Sequence, residues 1–120
     1  MLNNNMTRLL NAIKEKIQGK PLSLRSPHWE TTRKNHLKLE PACVACGNTK
    51  NLQVHHKQPF HLHPELELEQ SNLITLCEEK GDAGCHLKIG HFGDWKSFNP
   101  NVEADAKLKL ESIKRARAII

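Results

Sequence analysis

The sequence predicts a small α+β domain: two short strands and their loops gathered around a four-thiol metal knot, with helices on either side. Three observations carry this. The chain has 120 residues, 38% of them hydrophobic, with three Phe, two Trp and no Tyr; it is one domain long, and so modest a core usually needs a metal or disulfide staple. Its four cysteines fall in two pairs, Cys43 with Cys46 and Cys77 with Cys85. His55-His56, Asn72 and His86 are interleaved with those pairs. Any one of these polar residues alone would read as surface; their order around the thiol frame argues otherwise.

Met6, Leu9, Leu10, Ile13 and Ile17 fall on one helical stripe, so residues 6–18 read as an amphipathic helix ended by Gly19 and Pro21. With the linker Leu22 to Arg25 it makes an N-terminal arm over residues 1–24. Ser26-Pro27 has the chemistry of an N-cap followed by proline at the first helical position. That predicts a helix over 27–39, with Trp29 and Leu37 in the core and Pro41 as the stop. Cys43-Val44-Ala45-Cys46-Gly47 is a tight turn, and Leu52 to His56 a strand. Residues 57–71, broken by Pro59 and Pro64, form an irregular loop in which Glu65 to Glu69 could instead be a short strand. Leu73-Ile74-Thr75-Leu76 is the second strand, and Glu78 to Gly84 a polar loop. Cys85 to Ile89 starts a short helix that Gly90 ends. Val102, Ala106, Leu110 and Ile113 form the apolar stripe of a helix over 102–118, with acids in its first turn and Lys114, Arg115 and Arg117 in its last, as the helix dipole favours. The chain thus divides into an N-terminal helix and linker (1–24), a Cys/His centre (25–100) and a basic C-terminal helix (101–120), all one compact domain.

Net charge is +5, unevenly spread. Residues 1–42 carry eight Lys/Arg against three acids, residues 43–98 five against seven, and residues 99–120 five against three. Basic flanks around a Cys/His centre suit a polyanion held by its phosphates. No apolar run reaches membrane-span length, and the start of the chain lacks the apolar stretch of a signal peptide. A cytoplasmic protein is expected, where thiols stay reduced and paired cysteines bind metal more often than they form disulfides.

The residues supply two metal sites with different jobs. Cys43 and Cys46, two residues apart, can grip one tetrahedral ion, and Cys77 and Cys85 complete it. Four thiolates close the shell, so this is a structural Zn²⁺ site with no open position for chemistry. The second site is different. Successive strand residues point to opposite faces, so one of His55 and His56 can face a metal while the other faces water or phosphate. Phosphodiester hydrolysis needs that division, with a divalent ion on the phosphate and a base, near neutral pKa, on the water. His61, His63, His28 and His36 read as loop, surface or packing residues, and Trp29 and Trp95 as core.

In these features the chain resembles the HNH endonucleases. The likeness runs through Cys43-Val44-Ala45-Cys46, Val54-His55-His56, Asn72-Leu73-Ile74-Thr75-Leu76-Cys77 and Cys85-His86. It extends to Gly90-His91-Phe92-Gly93-Asp94-Trp95 and back to Arg25-Ser26-Pro27-His28-Trp29. It covers most of residues 25–100 and is closest to the small HNH proteins of phages and prophages. The resemblance implies a ββα-metal (His-Me finger) core. It casts His56 as general base and His55 as a ligand of the catalytic ion. Asn72 becomes the residue that braces the loop and helps orient the base, and His86 a second ligand. His91 is an optional third ligand, since it lies five residues past His86, off the face an α-helix would share, and would need the chain to turn at Gly90. The Cys77–Cys85 gap is longer than in the compact family pattern and reads as a loop insertion. The implied activity is metal-dependent DNA cleavage, with Mg²⁺, Mn²⁺, Ni²⁺ or Zn²⁺ as the catalytic ion. Lys57, Lys88 and Lys96 are candidates for phosphate contact, with Arg33, Lys34, Arg115 and Arg117 on the flanking helices. DNA is the expected partner, in a bacterial or phage-infected cell and without a membrane. Action as a monomer, as a homodimer or beside phage DNA-packaging proteins stays open. The competing readings are a non-catalytic zinc-knuckle nucleic-acid-binding module and, behind it, a RING-like interaction domain.

Overall fold

The β-branched and leucine-rich runs Leu52–His56 (β1) and Leu73–Cys77 (β2) pair antiparallel, with Leu52 opposite Cys77 and His56 opposite Leu73. The computed structural model describes residues 5–8, 25–78 and 84–119, and among them this is the only sheet. β2 is buried at every position. It is covered by helix α1 (Trp29–Leu39) and by a five-residue π-helical turn, His86–Gly90, and helix α2 (Val102–Ile119) packs on that turn. The architecture is therefore α+β, with the element order α1-β1-β2-turn-α2.

The core is Cys43, Ala45, Ile74, Leu76, Cys77, Cys85, Val102 and Ala106, with Val44, Leu52 and Ile89 packed around it. Ile74 and Leu76, at 1% and 0% exposure, are its largest aliphatics, each stabilising by about 1.5–3 kcal/mol. Three of the eight core residues are cysteines, so the thiol cluster lies within the core itself.

Several elements differ in detail from the sequence reading. α1 begins at Trp29 rather than Pro27, and its N-cap is His28, with no capping side chain. Ser26 is spent one turn earlier: its Oγ accepts the His28 N–H at 3.1 Å and its carbonyl the Trp29 N–H at 3.2 Å. Trp29 and Leu37 are half-buried, and the buried residue of α1 is His36. Its ring lies 2.8 Å from Gln70 Oε1 and 3.1 Å from Glu40 Oε1. Residues 65–69 are not a strand. Pro64 opens a 3₁₀ turn over Pro64–Leu66, and a second covers Gln70–Asn72. α2 buries Val102 and Ala106 but only half-buries Leu110 and Ile113. Residues 5–8 are helical. Leu9, Leu10, Ile13 and Ile17 of the expected N-terminal helix, and residues 79–83 of the polar loop, lie outside the described residues.

Candidate functional site

The Cys43-to-Gly47 turn closes because the Gly47 N–H reaches the Cys43 carbonyl at 2.8 Å, with Gly47 at φ +80°, a conformation glycine adopts without strain. The Val44 N–H then donates to the Thr75 carbonyl at 3.0 Å, fixing the turn beside β2. Cys77 ends β2 and Cys85 precedes the π turn, so the four Sγ atoms all lie within 4.8 Å of one another. All four thiols are free. Cys46 and Cys77 sulfurs are 3.7 Å apart, against roughly 3.8 Å for two thiolates sharing a tetrahedral Zn²⁺ with ~2.3 Å bonds and about 2 Å for a disulfide. The Cys85 N–H donates to Cys77 Sγ at 3.5 Å, and Lys109 Nζ lies 3.4 Å from Cys85 Sγ. A hydrogen bond from Cys85 holds the Cys43 thiol down at about 4 despite burial. Cys85 is pushed up, first by that same bond and then by burial, and Cys46 is raised by burial. Four thiols in one buried knot cannot all ionise against each other, and a divalent cation removes that conflict. The donor set fits zinc.

The two histidines of β1 do face opposite ways. His55, 4% exposed, points toward His86 and His91, with all three ring centroids 4.9 Å apart. His86 Nε2 is 3.1 Å from His55 Nδ1 and 3.2 Å from His91 Nε2. Imidazole nitrogens sharing one tetrahedral ion at ~2.0–2.1 Å would lie about 3.4 Å apart. Hydrogen bonding satisfies this cluster poorly. His91 Nδ1 is 2.7 Å from the Ser97 carbonyl, which can only accept, so Nδ1 carries the proton and Nε2 presents a lone pair. His86 Nε2 then faces two ring nitrogens with at most one proton to share. Beyond the cluster, buried His55 Nε2 and His86 Nδ1 have no hydrogen-bond partner among the described residues. Burial, with smaller contributions from neighbouring rings, lowers His55 to about 3 and His86 to about 4. Three imidazoles with converging nitrogens, two of them held neutral by burial, fit a divalent cation.

The π turn brings His91 into this group. In an α-helix residues five apart diverge, but i→i+5 winding stacks them about one turn apart, so the expectation that His91 leaves the His86 face does not hold. Gly90 has a second role besides ending the turn. A Cβ there would lie 3.1 Å from the His55 ring, a crowded contact that glycine avoids where the turn lies flat on that imidazole. Trp95, expected in the core, is 53% exposed and caps the cluster, its ring 5.1 Å from His86 and 4.9 Å from His91.

His56 faces the other way. Its ring lies 4.6 Å from that of Trp29 at 30°, and its Nε2 is 3.0 Å from the Glu67 carbonyl. The carbonyl fixes the tautomer: Nε2 carries the proton and Nδ1 keeps its lone pair. Burial, then the Arg25 charge, lowers His56 to about 4. Asn72, 6% exposed, spends its side-chain hydrogen bonds on the loop rather than on that ring. Its Oδ1 accepts the Gln58 N–H at 2.9 Å, and its Nδ2 donates to the Gln58 and Leu66 carbonyls at 3.1 and 3.3 Å. It thus clamps both ends of the loop that carries Glu67.

A cleft of about 390 Å³ is lined by Arg25, His55, His56, His86, His91 and Lys96, among others. Of the lysines singled out by sequence, Lys96 borders this cleft and Lys88 is exposed on the π turn. Lys57 is turned away, with Nζ 2.8 Å from Glu103 Oε2 and 3.0 Å from the Ser71 carbonyl. Sequence reasoning missed Arg25 as a cleft residue and Glu67 altogether. Glu67 sits in an acid-leucine alternation that reads as solvated, yet it is 0% exposed. The one available signal was the Arg25-Ser26-Pro27-His28-Trp29 segment, which needs a partner in the fold.

A family model described as HNH endonuclease matches residues 43–92. Neither curated proteins nor solved structures gave a match. The matched segment contains the four cysteines, both strands, the clamping Asn72 and all three converging histidines. It supports a nuclease-type function and implies a nucleic-acid substrate. Over residues 43–92 the chain is thus similar to the HNH endonucleases, and the likeness spans the two-stranded sheet and the four-cysteine cluster.

Proposed function

We propose that the chain is a metal-dependent endonuclease that hydrolyses DNA phosphodiester bonds, with His56 as the general base and His55, His86 and His91 as the ligands of the catalytic ion. One observation carries the reading. His56, with its tautomer fixed, and His55, one of three imidazoles with converging nitrogens, leave opposite faces of β1 and line the same cleft, with His86 and His91 reaching it from the π turn and its end.

His56 Nδ1 takes the proton of the attacking water as that water closes on the scissile phosphorus. The Glu67 carbonyl keeps the ring from rotating and stabilises the imidazolium that forms. His55, His86 and His91 would hold a divalent cation, which would supply positive charge to the phosphate and to the departing 3′ oxygen. Arg25 and Lys96 hold flanking phosphates at the rim. Asn72 keeps the loop behind the base closed. Cys43, Cys46, Cys77 and Cys85 would hold a Zn²⁺ ion that would brace the frame.

The alternative is a zinc-knuckle module that binds nucleic acid without cutting it. Such a module has no use for a second cluster of three imidazoles whose ring nitrogens converge. The test is plasmid cleavage by wild type and His56→Ala in Mg²⁺, Mn²⁺, Ni²⁺ and EDTA, with zinc measured on both proteins. Metal-dependent nicking should fall about 10²–10⁴-fold in His56→Ala, with zinc content unchanged. Folded, zinc-loaded wild type that cuts nothing in any metal sinks the catalytic reading and leaves the binding module.

A further inference from the structure

The Glu67 carboxylate is wholly buried, and its three partners come from outside its own loop. It is paired with the Arg8 guanidinium, lies 3.3 Å from Arg25 Nη1 and accepts the Ser26 N–H at 3.1 Å. The carbonyl of the same residue accepts the His56 Nε2 proton at 3.0 Å. One residue therefore joins the N-terminal arm to the ring proposed as base. Its side chain is held from one side and its main chain holds the imidazole on the other.

Arg25 extends the connection into the cleft. Its guanidinium lies over the Phe60 ring at 4.6 Å and the Trp29 ring at 5.6 Å, and Glu67 fixes the end that does not face solvent. Arg8 does not border the cleft; its side chain is 18% exposed and is directed at Glu67. Asn5, in the same segment, donates to Glu69 Oε1 at 2.8 Å, a second tie between that arm and the 64–70 loop.

We infer that Glu67 is a positioning residue, and that docking of the segment 5–8 through Arg8 aligns His56 for catalysis. This rests on the reading of His56 as base. A buried carboxylate that loses its nearest cation draws toward water. Glu67 then moves with its own carbonyl, and His56 loses the acceptor that fixes its tautomer. A ring free to flip or to exchange tautomers presents its lone pair to water for only part of the time.

The experiment compares wild type, Arg8→Met and Arg8→Lys by steady-state cleavage of a short DNA duplex and by ¹⁵N-histidine NMR, which reports the His56 tautomer directly. Arg8→Met should lose kcat about 10-fold or more, hold KM within about twofold, and show a mixed His56 tautomer in place of a protonated Nε2. Arg8→Lys, which restores a cation, should recover most of both signals. Unchanged kcat and an unchanged His56 signature in Arg8→Met overturn the proposal, as does a loss seen only in KM. If Arg8→Met loses its zinc, Arg8→Gln, which keeps a donor without the charge, is read the same way. Should wild type cleave nothing, the nuclease reading fails separately, because the tautomer comparison needs no turnover and still decides whether Arg8 aligns His56.

Discussion

Gly90 and the imidazole of His55 occupy what would otherwise be one volume. A Cβ at Gly90 would lie 3.1 Å from His55 Cε1 and 3.3 Å from both ring nitrogens, tighter than most side-chain contacts, so that the ring must give by a few tenths of an ångström. Gly90→Ala must therefore tilt His55 or lift the π turn. Isothermal titration with Mn²⁺ or Ni²⁺ should show affinity at the histidine cluster reduced about 10–100-fold, the range seen when a ligand's support is disturbed, with tightly held zinc unchanged. The histidines also set a pH dependence. Burial holds His55, His56 and His86 at about 3, 4 and 4 in the folded chain, against roughly 6.5 when unfolded. Below the unfolded value the unfolded chain binds more protons than the native one. The stability from these neutral rings is fully present above about pH 6.5 and is lost progressively as pH falls toward 4 and 3. Urea midpoints for the chain with no ion on these histidines should therefore fall between pH 7 and pH 4.5; a midpoint constant over that interval would contradict the burial of these rings.

Among the elements, β2 carries the most structural weight, because it is buried throughout and ends on a cluster cysteine. A sheet of two strands is marginal alone. Its neighbours hold it: Thr75 takes Glu40 Oε1 on its N–H at 2.6 Å and donates its hydroxyl to the Glu40 carbonyl at 2.8 Å. Cys77→Ser should abolish high-affinity zinc binding and lose the cooperative thermal transition, since structural zinc sites of this kind contribute on the order of 10 kcal/mol. Asn72→Ala probes the other end. It removes three side-chain hydrogen bonds that clamp residues 58 and 66 and leaves buried groups unpaired, a loss of about 2–4 kcal/mol. A melting temperature at least ~8 °C lower follows for a domain of this size, with the thiol site still loaded.

For the molecule as a whole, charge decides how it meets a polyanion. The basic residues sit mainly outside the 43–98 centre. Lys114, Arg115 and Arg117 near the end of α2 are exposed and far in sequence from the cleft. If they lie along DNA, replacing all three with alanine should weaken binding at low salt and flatten the dependence of log K on log salt by about one unit per lost contact, with kcat unaltered. A slope equal to that of wild type would mean that α2 does not touch the phosphate backbone. Among the described residues no helix is long and apolar enough to cross a membrane; Leu108 of α2 is exposed.

The sequence alone determined both strands, the tight CxxC turn, the grouping of four thiols and the long C-terminal helix. Each rests on local information: alternation of apolar residues, a spacing that reaches around one ion, a stripe at helical period. It also singled out His55 and His56 as facing apart, because the pleat alternates by single residues. Only the tertiary structure decided which ring goes where. His91 joins His55 and His86 because the chain after Cys85 winds as a π turn, and the wider winding depends on Gly90 seating against a side chain from another element. Glu67 could not be read from its neighbours, since an acidic residue in a polar loop is ordinarily solvated. Its burial comes from Arg8, Arg25 and Ser26, all distant in sequence. Trp95 lies at the rim rather than in the core because Ile74, Leu76 and the thiol cluster already fill the interior. Pattern reports which residues prefer the inside; only packing reports which of them find room there, and which charges find partners.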